Sequence, residues 1–373
     1  MDTYDVIVVG CGLSGGVIAS RFAREKNLRV LVVEKRDHIG GNVYDYYDKK
    51  TNILVPMYGA HLFHTNNERV WNYVNQYSKW IRWDHKVIAN VDEKLVPIPV
   101  NIDTVNSLCN ENIVDEEEMK EWLKKTQINY SREPQNSEEV AKSRVGEYLY
   151  EKLVRDYTFK QWNKYPYELD ASVLQRLPYR TNRDSRYFND KYQALPKDSY
   201  TKFVENLLDH PNITIKLSTD FFIFKDSIPP DKTIIFTGPI DHFYAALGLP
   251  KLEYRSIKFE YEYYENMNYY QTNSVVNYPS STVNYTRIIE PKHFLNQCSK
   301  DTVIIKEYST DFGEPYYPVP TKKNQDLFKV YKSYAESEEK VHFVGRLADY
   351  KYFNMDQAIL NALEYFDKNF LGL

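Results

Sequence analysis

The sequence predicts a mixed α/β fold, α/β with α+β parts, in which a Rossmann-like dinucleotide domain is interrupted by a helical segment and an antiparallel sheet. Three observations predict it. A glycine-rich turn lies between two short apolar runs near the start, the composition turns helix-like over about 103–170, and strict strand alternation appears between about 256 and 308. Val6-Ile7-Val8-Val9 enters the turn Gly10-Cys11-Gly12-Leu13-Ser14-Gly15, a helix-compatible stretch follows over 14–26, and Val30–Val33 forms a second buried strand ending at Glu34. Gly10 permits the turn, Gly12 lets backbone approach a pyrophosphate, and Gly15 allows close helix–strand contact. The helix start at Leu13 and Ser14 offers unpaired N–H groups to phosphate. Glu34, roughly twenty residues beyond the turn, is placed to bond both hydroxyls of an adenosine ribose. An acid there argues against a 2′-phosphate. The second cluster, Gly40-Gly41-Asn42, follows Glu34 and Lys35 closely and gives the backbone another approach to the dinucleotide, which favours FAD over NAD.

Further along, Asp115-Glu116-Glu117-Glu118 ahead of Lys120, Lys124 and Lys125 orders charge as a helix dipole prefers. A second helix is expected from Asn136 or Ser137, with Leu149, Leu153 and Tyr157 at i, i+4 and i+8 on one core face. Lys258-Phe259-Glu260-Tyr261-Glu262-Tyr263 and Val303-Ile304-Ile305-Lys306 read as antiparallel strands. Val341-His342-Phe343-Val344, then Gly345-Arg346 and a helix over about 355–366, read as the returning piece of the dinucleotide domain. That domain is therefore discontinuous, over 1–85, 196–245 and 319–373, with a helical domain over 101–176 and the sheet domain over 86–100, 177–195 and 246–318.

The 373 residues suit two or three domains, and a net charge of −4 supplies no basic field for nucleic acid. Cys11, Cys109 and Cys298 are odd in number and lack C-x-x-C spacing, which argues against disulfides and zinc and for a reducing compartment. No apolar run approaches the ~20 residues that span a bilayer. The chain also enters its first strand at once, so a soluble, cytoplasmic protein is expected.

Five motifs, in order, resemble the bacterial-type UDP-galactopyranose mutase family: Tyr58-Gly59-Ala60-His61-Leu62-Phe63-His64-Thr65, Tyr157-Thr158-Phe159-Lys160-Gln161-Trp162, Tyr285-Thr286-Arg287-Ile288-Ile289-Glu290, Glu314-Pro315-Tyr316-Tyr317-Pro318-Val319 and Gly345-Arg346-Leu347-Ala348-Asp349-Tyr350-Lys351-Tyr352. The resemblance covers essentially the whole chain. It implies a Rossmann-like FAD domain, a helical domain and a six-stranded antiparallel sheet. It also implies a flavin-dependent, non-redox isomerase that interconverts UDP-galactopyranose and UDP-galactofuranose, active when FAD is reduced, by attack of flavin N5 on the anomeric carbon. UDP-galactose is then the substrate, NAD(P)H a candidate external electron donor, and a homodimer the expected assembly. The alternative is an FAD-dependent oxidoreductase of the amine-oxidase type, whose substrates carry no diphosphate.

The resemblance also implies roles for particular residues. Arg176 and Arg287 match the diphosphate arginines and are catalytic candidates, because a departing UDP gains negative charge as its bond breaks. Tyr187, Tyr317 and Tyr352 match neutral hydroxyl donors to the phosphates. Tyr157 matches the uracil-stacking ring, Trp162 borders the sugar, and Phe188 packs the uridine. Asn354, also at the substrate, stands where the family more often has aspartate. His64, the third catalytic candidate, matches the histidine against the flavin, with His61 and Leu62 before it; neither histidine is given a general-base role. His-x-x-His invites a metal reading, yet no third ligand stands nearby, and no metal is expected. Gly345, Arg346, Tyr352 and Met355 are expected at the flavin's pyrimidine edge, where the last helix would contribute partial positive charge. Asn163 replaces a usual glycine. Arg180, Arg183 and Arg186 fall in the family's mobile lid, as attraction for the substrate or as a solvated face.

Overall fold

Five short parallel strands lie in the order Ile213–Lys216, Val30–Val33, Val6–Val9, Thr233–Phe236 and Val341–Phe343 in the computed structural model, which describes residues 3–175 and 178–372. Side chains alternate across each strand. Val6, Val8, Val30, Val32 and Ile235 thus face one core, shared with the first helix, Leu13–Glu25, and the last, Met355–Phe370. Ile7, Leu31, Val33, Ile234 and Phe236 face a second core with Phe221, Phe243 and Tyr331. Burial on both faces is why these strands read as unbroken apolar runs. The last helix runs a turn further than the sequence predicts because Phe370 is also buried in the first core.

The glycine turn is set by sterics. Gly10 has φ +102°, and a Cβ on Gly15 would stand 2.0 Å from the Gly10 carbonyl oxygen. Only a bare backbone lets the first helix sit this close to the first strand.

A second sheet has seven strands in the order Tyr317–Pro318, Tyr254–Tyr264, Thr302–Thr310, Arg287–Ile289, Val275–Asn277, Val87–Val91 and Lys94–Ile98. The six expected strands gain the two-residue edge strand Tyr317–Pro318. One pairing, Val275–Asn277 with Val87–Val91, is parallel because the partner comes from far upstream rather than from a hairpin. Tyr192–Pro196, grouped with this sheet in the sequence reading up to residue 195, instead pairs with Phe63–Thr65 and Trp80–Arg82. Leu195 joins Phe63 in the core of the dinucleotide domain, which explains that choice.

Helices Ile102–Cys109, Glu116–Thr126 and Ser137–Leu149 pack on Ala89, Val91 and Val96. Asp115 caps the second of them by accepting from the Glu117 and Glu118 N–H groups, so the acidic run is a helix start. The helix expected through Leu149, Leu153 and Tyr157 is not continuous. Gly146 is non-helical (φ 78°, ψ 173°), Tyr150–Arg155 is π-helical, and the α-helix resumes over Asp156–Trp162. The wider turn changes the facing: Leu149 stays in the helical core, Leu153 lies where that core borders a cleft, and Tyr157 leaves the core to line the cleft. Among the described residues no helix is long and apolar enough to cross a membrane.

Candidate functional site

A cleft of about 1540 Å³ is lined by both sheets and the helical segment. Of the site residues named from the sequence, Arg176 lies outside the described residues and Gly345 sits just behind the wall; all the others line this cleft. A Cβ on Gly345 would be 2.8 Å from Ser14 Oγ, so the returning segment meets the first helix there.

One end is built from Gly10, Gly12, Leu13, Ser14 and Gly15, facing Gly41 and Asn42. The two glycine loops touch: a Cβ on Gly41 would stand 2.9 Å from Gly12 Cα. Glu34 is 7% exposed, and its two oxygens accept from Cys11 N–H (2.9 Å) and Arg36 N–H (3.0 Å). These bonds fix the carboxylate while leaving lone pairs free toward the cleft. Burial, with Glu34 nearby, pushes the Cys11 thiol up to about 12. Lys35 pairs with Glu314 at the rim. Arg36 donates to Asn42 Oδ1 (3.0 Å) and lies 4.3 Å from the Tyr58 ring centre.

In the middle, His61 Nδ1 is 2.9 Å from the Gly59 carbonyl, and burial lowers its pKa to about 4. A carbonyl only accepts, so Nδ1 carries the proton and Nε2 is an acceptor. His64 Nδ1 is likewise 2.9 Å from Asp190 Oδ2, and its ring stacks on Phe188 with centroids 3.7 Å apart. No group of three or more metal-ligating side chains occurs among the described residues. The Arg346 guanidinium lies 4.6 and 4.7 Å from the ring centres of Tyr317 and Tyr352. Trp162 stands beyond, 6.3 Å from Tyr317. Asn354 precedes the last helix and donates its N–H to Gln357 Oε1 (3.0 Å), with Met355 and Asp356 in the first turn. Asp356 offsets part of the positive end of that helix at the cleft.

At the far end Arg287 Nη2 donates to the Tyr157 hydroxyl (2.9 Å), and its Nε lies 3.2 Å from Glu307 Oε2. Burial pushes the Glu307 carboxyl up, with Arg287 opposing. Tyr187 donates its backbone N–H to the His85 carbonyl (2.7 Å), which sets its ring beside Phe188.

Three residues escape the sequence reading: His85, Asn277 and Glu307. Glu307 carried a signal, since it shares strand parity with the buried Val303 and Ile305 and an acid on a core-facing position needs a partner. His85 and Asn277 carry none, being ordinary polar residues in separate segments. His85 is 3% exposed, its Nδ1 has no partner, and burial together with the Arg287 charge lowers its pKa to about 3. An unfolded histidine titrates near 6.5. Below that pH the unfolded chain takes a proton that folded His85 refuses. Stability is therefore expected to fall as pH drops from 6.5 toward 4, with His85 contributing up to about 1.4 kcal/mol per pH unit. Urea unfolding across this range should show a shallower slope for His85→Gln; an equal slope contradicts the buried neutral imidazole.

Buried polar atoms with no hydrogen bond recur along the cleft: His85 Nδ1, Asn277 Oδ1, Arg346 Nε and Nη2, Asp356 Oδ1, and Arg287 Nε, whose contact with Glu307 is ionic only. Such atoms call for a polar ligand. A glycine cradle with a fixed acid at one end, and a guanidinium among tyrosine hydroxyls at the other, fit a dinucleotide and a second anionic molecule end to end.

Asn163, Arg180, Arg183 and Arg186 have local explanations. Asn163 ends its helix at φ 53°, a left-handed position that asparagine tolerates in place of glycine, and donates to Asp311 (2.9 Å). Arg183 pairs with Asp103, and both Arg180 and Arg186 pair with Asp184, so these charges are engaged within the protein.

A family model described as UDP-galactopyranose mutase matches residues 152–352, and one described as an NAD(P)-binding Rossmann-like domain matches residues 8–77. A probable UDP-galactopyranose mutase of Klebsiella pneumoniae is 40% identical, over 99% of this chain and 95% of its own. A dTDP-fucopyranose mutase of Escherichia coli is 38% identical over 96% of each chain. A crystal structure of reduced UDP-galactopyranose mutase shares the fold, with a TM-score of 0.76 at 15% identity over 98% of this chain and 95% of that one. A flavin-containing amine oxidase of Oncorhynchus mykiss matches only 18% of this chain and 12% of its own length. With a family match over more than half its length and a full-length relative at 40% identity, the chain belongs to the UDP-galactopyranose mutase family of isomerases.

Proposed function

We propose that this chain interconverts UDP-galactopyranose and UDP-galactofuranose with a bound FAD in its reduced form. The observation that carries the reading is Arg287, half-buried among Tyr157, Tyr187 and Tyr317 in the same cleft as the two glycine loops. Bound and reduced, the flavin supplies a nucleophilic N5 toward the anomeric carbon. Arg287 binds the diphosphate and stabilises the charge that grows on UDP as it leaves. Arg176 shares this role by family resemblance. The Tyr157 hydroxyl orients Arg287, the Trp162 indole bounds the sugar, and Asp190 holds the His64 proton on Nδ1 so that Nε2 can accept from a sugar hydroxyl. An NAD(P)H-type electron donor and a homodimer rest on the resemblance alone.

A second reading, exchange of the ring forms of dTDP-fucose, is favoured by the nearly equal identity to the Escherichia coli enzyme. The test is to incubate dithionite-reduced holoprotein with UDP-galactofuranose or dTDP-fucofuranose and separate the pyranose products by chromatography. Turnover of the UDP sugar without stoichiometric loss of reductant is expected. Turnover of the dTDP sugar alone selects the second reading, and consumption of oxidant in step with product selects an oxidoreductase.

A further inference from the structure

Lys160 lies on the short helix Asp156–Trp162, between Tyr157 and Trp162. Unlike those two it is not among the cleft-lining residues. Its ammonium is instead surrounded by four backbone carbonyls of one loop: Tyr278, Ser280 (2.9 Å), Val283 (3.2 Å) and Tyr285 (3.0 Å). An ammonium has three N–H donors, so every donor is engaged and one is shared. Four carbonyl dipoles aimed at one point repel one another, and a cation at that point is what makes the arrangement favourable.

The loop joins two strands that matter to the site. It leaves Val275–Asn277, and two residues past Tyr285 it delivers Arg287. The Tyr278 N–H bonded to the Thr286 carbonyl (2.9 Å) closes its base. On the other side, the helix that carries Lys160 also carries Tyr157, whose hydroxyl accepts from Arg287. The contacts form a circuit: Tyr157 to Lys160 along the helix, Lys160 to the loop, loop to Arg287, and Arg287 back to Tyr157. The end of this helix has separate anchors, since Arg255 donates to the Gln161 carbonyl (2.9 Å) and Asn163 to Asp311. Those anchors do not touch the loop.

We propose that Lys160 is a positioning residue whose caged ammonium sets Arg287 and Asn277 against Tyr157, and so sets the grip on the substrate's diphosphate. The substrate's identity rests on the proposed function; the cage does not.

The test uses FAD-loaded full-length protein. Lys160→Met and Lys160→Ala are compared with the parent for UDP affinity by equilibrium dialysis, for kcat and KM with UDP-galactofuranose, and for FAD content and Tm. Both variants are expected to keep their flavin and to lose about 10²-fold in kcat/KM, the scale of loss from misplacing a binding group by an ångström. Weaker UDP binding should account for most of it. Methylammonium chloride should restore Lys160→Ala, which leaves room for it, and not Lys160→Met; sodium chloride at equal ionic strength should restore neither. Unchanged UDP affinity and kcat/KM would overturn the inference. So would a loss that follows FAD content or Tm and is not rescued by methylammonium, since that marks a plain structural tie. A parent that binds UDP but turns over no UDP-galactofuranose, with UDP affinity still lost and rescued as above, removes the proposed activity and leaves the positioning role standing.

Discussion

Arg287→Ala is expected to lower kcat/KM for UDP-galactofuranose by roughly 10²–10³-fold, the loss typical when one stabiliser of developing charge is removed. Its surroundings make it hard to replace. The guanidinium donates to Tyr157 and stands beside Glu307, which is itself buried. Alanine therefore removes the charge that the proposed function assigns to the diphosphate and leaves an unpaired carboxyl, which burial then drives further toward the neutral form. Arg287→Lys keeps the charge but lacks the planar fork that reaches two partners at once, so it should recover only part of the loss. Because Arg287 bonds to Tyr157 and Glu307 and to neither glycine loop, flavin content should stay at the parent level in both variants. Steady-state kinetics on the reduced enzyme decide the matter: activity within a few-fold of the parent would remove Arg287 from the diphosphate site. Arg176→Ala is expected to lose as much, on the resemblance.

Gly15→Ala is expected to yield protein without flavin. The new Cβ would stand 2.0 Å from the Gly10 carbonyl oxygen, 3.1 Å from its carbon and 3.3 Å from Val8 Cγ1. Two of these are backbone atoms and cannot rotate away, so the turn or the helix must move, at a cost of about 3 kcal/mol. That movement displaces the helix N–H groups that the proposed function assigns to the cofactor's phosphates. The neighbouring glycine is the control. A Cβ on Gly16 meets only the Leu207 side chain, at 3.0 Å from Cδ2, and a leucine end can shift. Alanine also favours the helix by about 1 kcal/mol over glycine. Gly16→Ala should then keep its flavin and melt near the parent, whereas Gly15→Ala should melt lower and purify colourless. Equal flavin content in the two variants would contradict this account of the turn.

The parts of the site legible in the sequence are those that local geometry enforces. The glycine turn, its helix and Glu34 are contiguous, and each follows from what a tight strand-to-helix turn and a ribose require. Arg287 and the tyrosines became legible through motifs rather than periodicity, since a lone arginine on a strand carries no mark of its partner. The facing of Tyr157 was hidden. Periodicity places it with Leu149 and Leu153, and only the π-helical stretch Tyr150–Arg155 rotates the ring away from them into the cleft. His85 and Asn277 belong to the two strands that make the one parallel pairing of the larger sheet, or adjoin them. Their meeting depends on tertiary structure that no local pattern encodes. The lid arginines show the reverse: their charge was conspicuous in the sequence, but Asp103 and Asp184 take it up within the protein.

The first helix packs against the last, and Gly345 closes on Ser14. The proposed cradle for a dinucleotide is thus assembled from segments that lie far apart in the sequence. During synthesis the glycine turn leaves the ribosome long before Gly345 and the helix Met355–Phe370 that complete it. Loading of the proposed coenzyme is then expected to wait for that helix, and a chain truncated ahead of it would carry half a cradle.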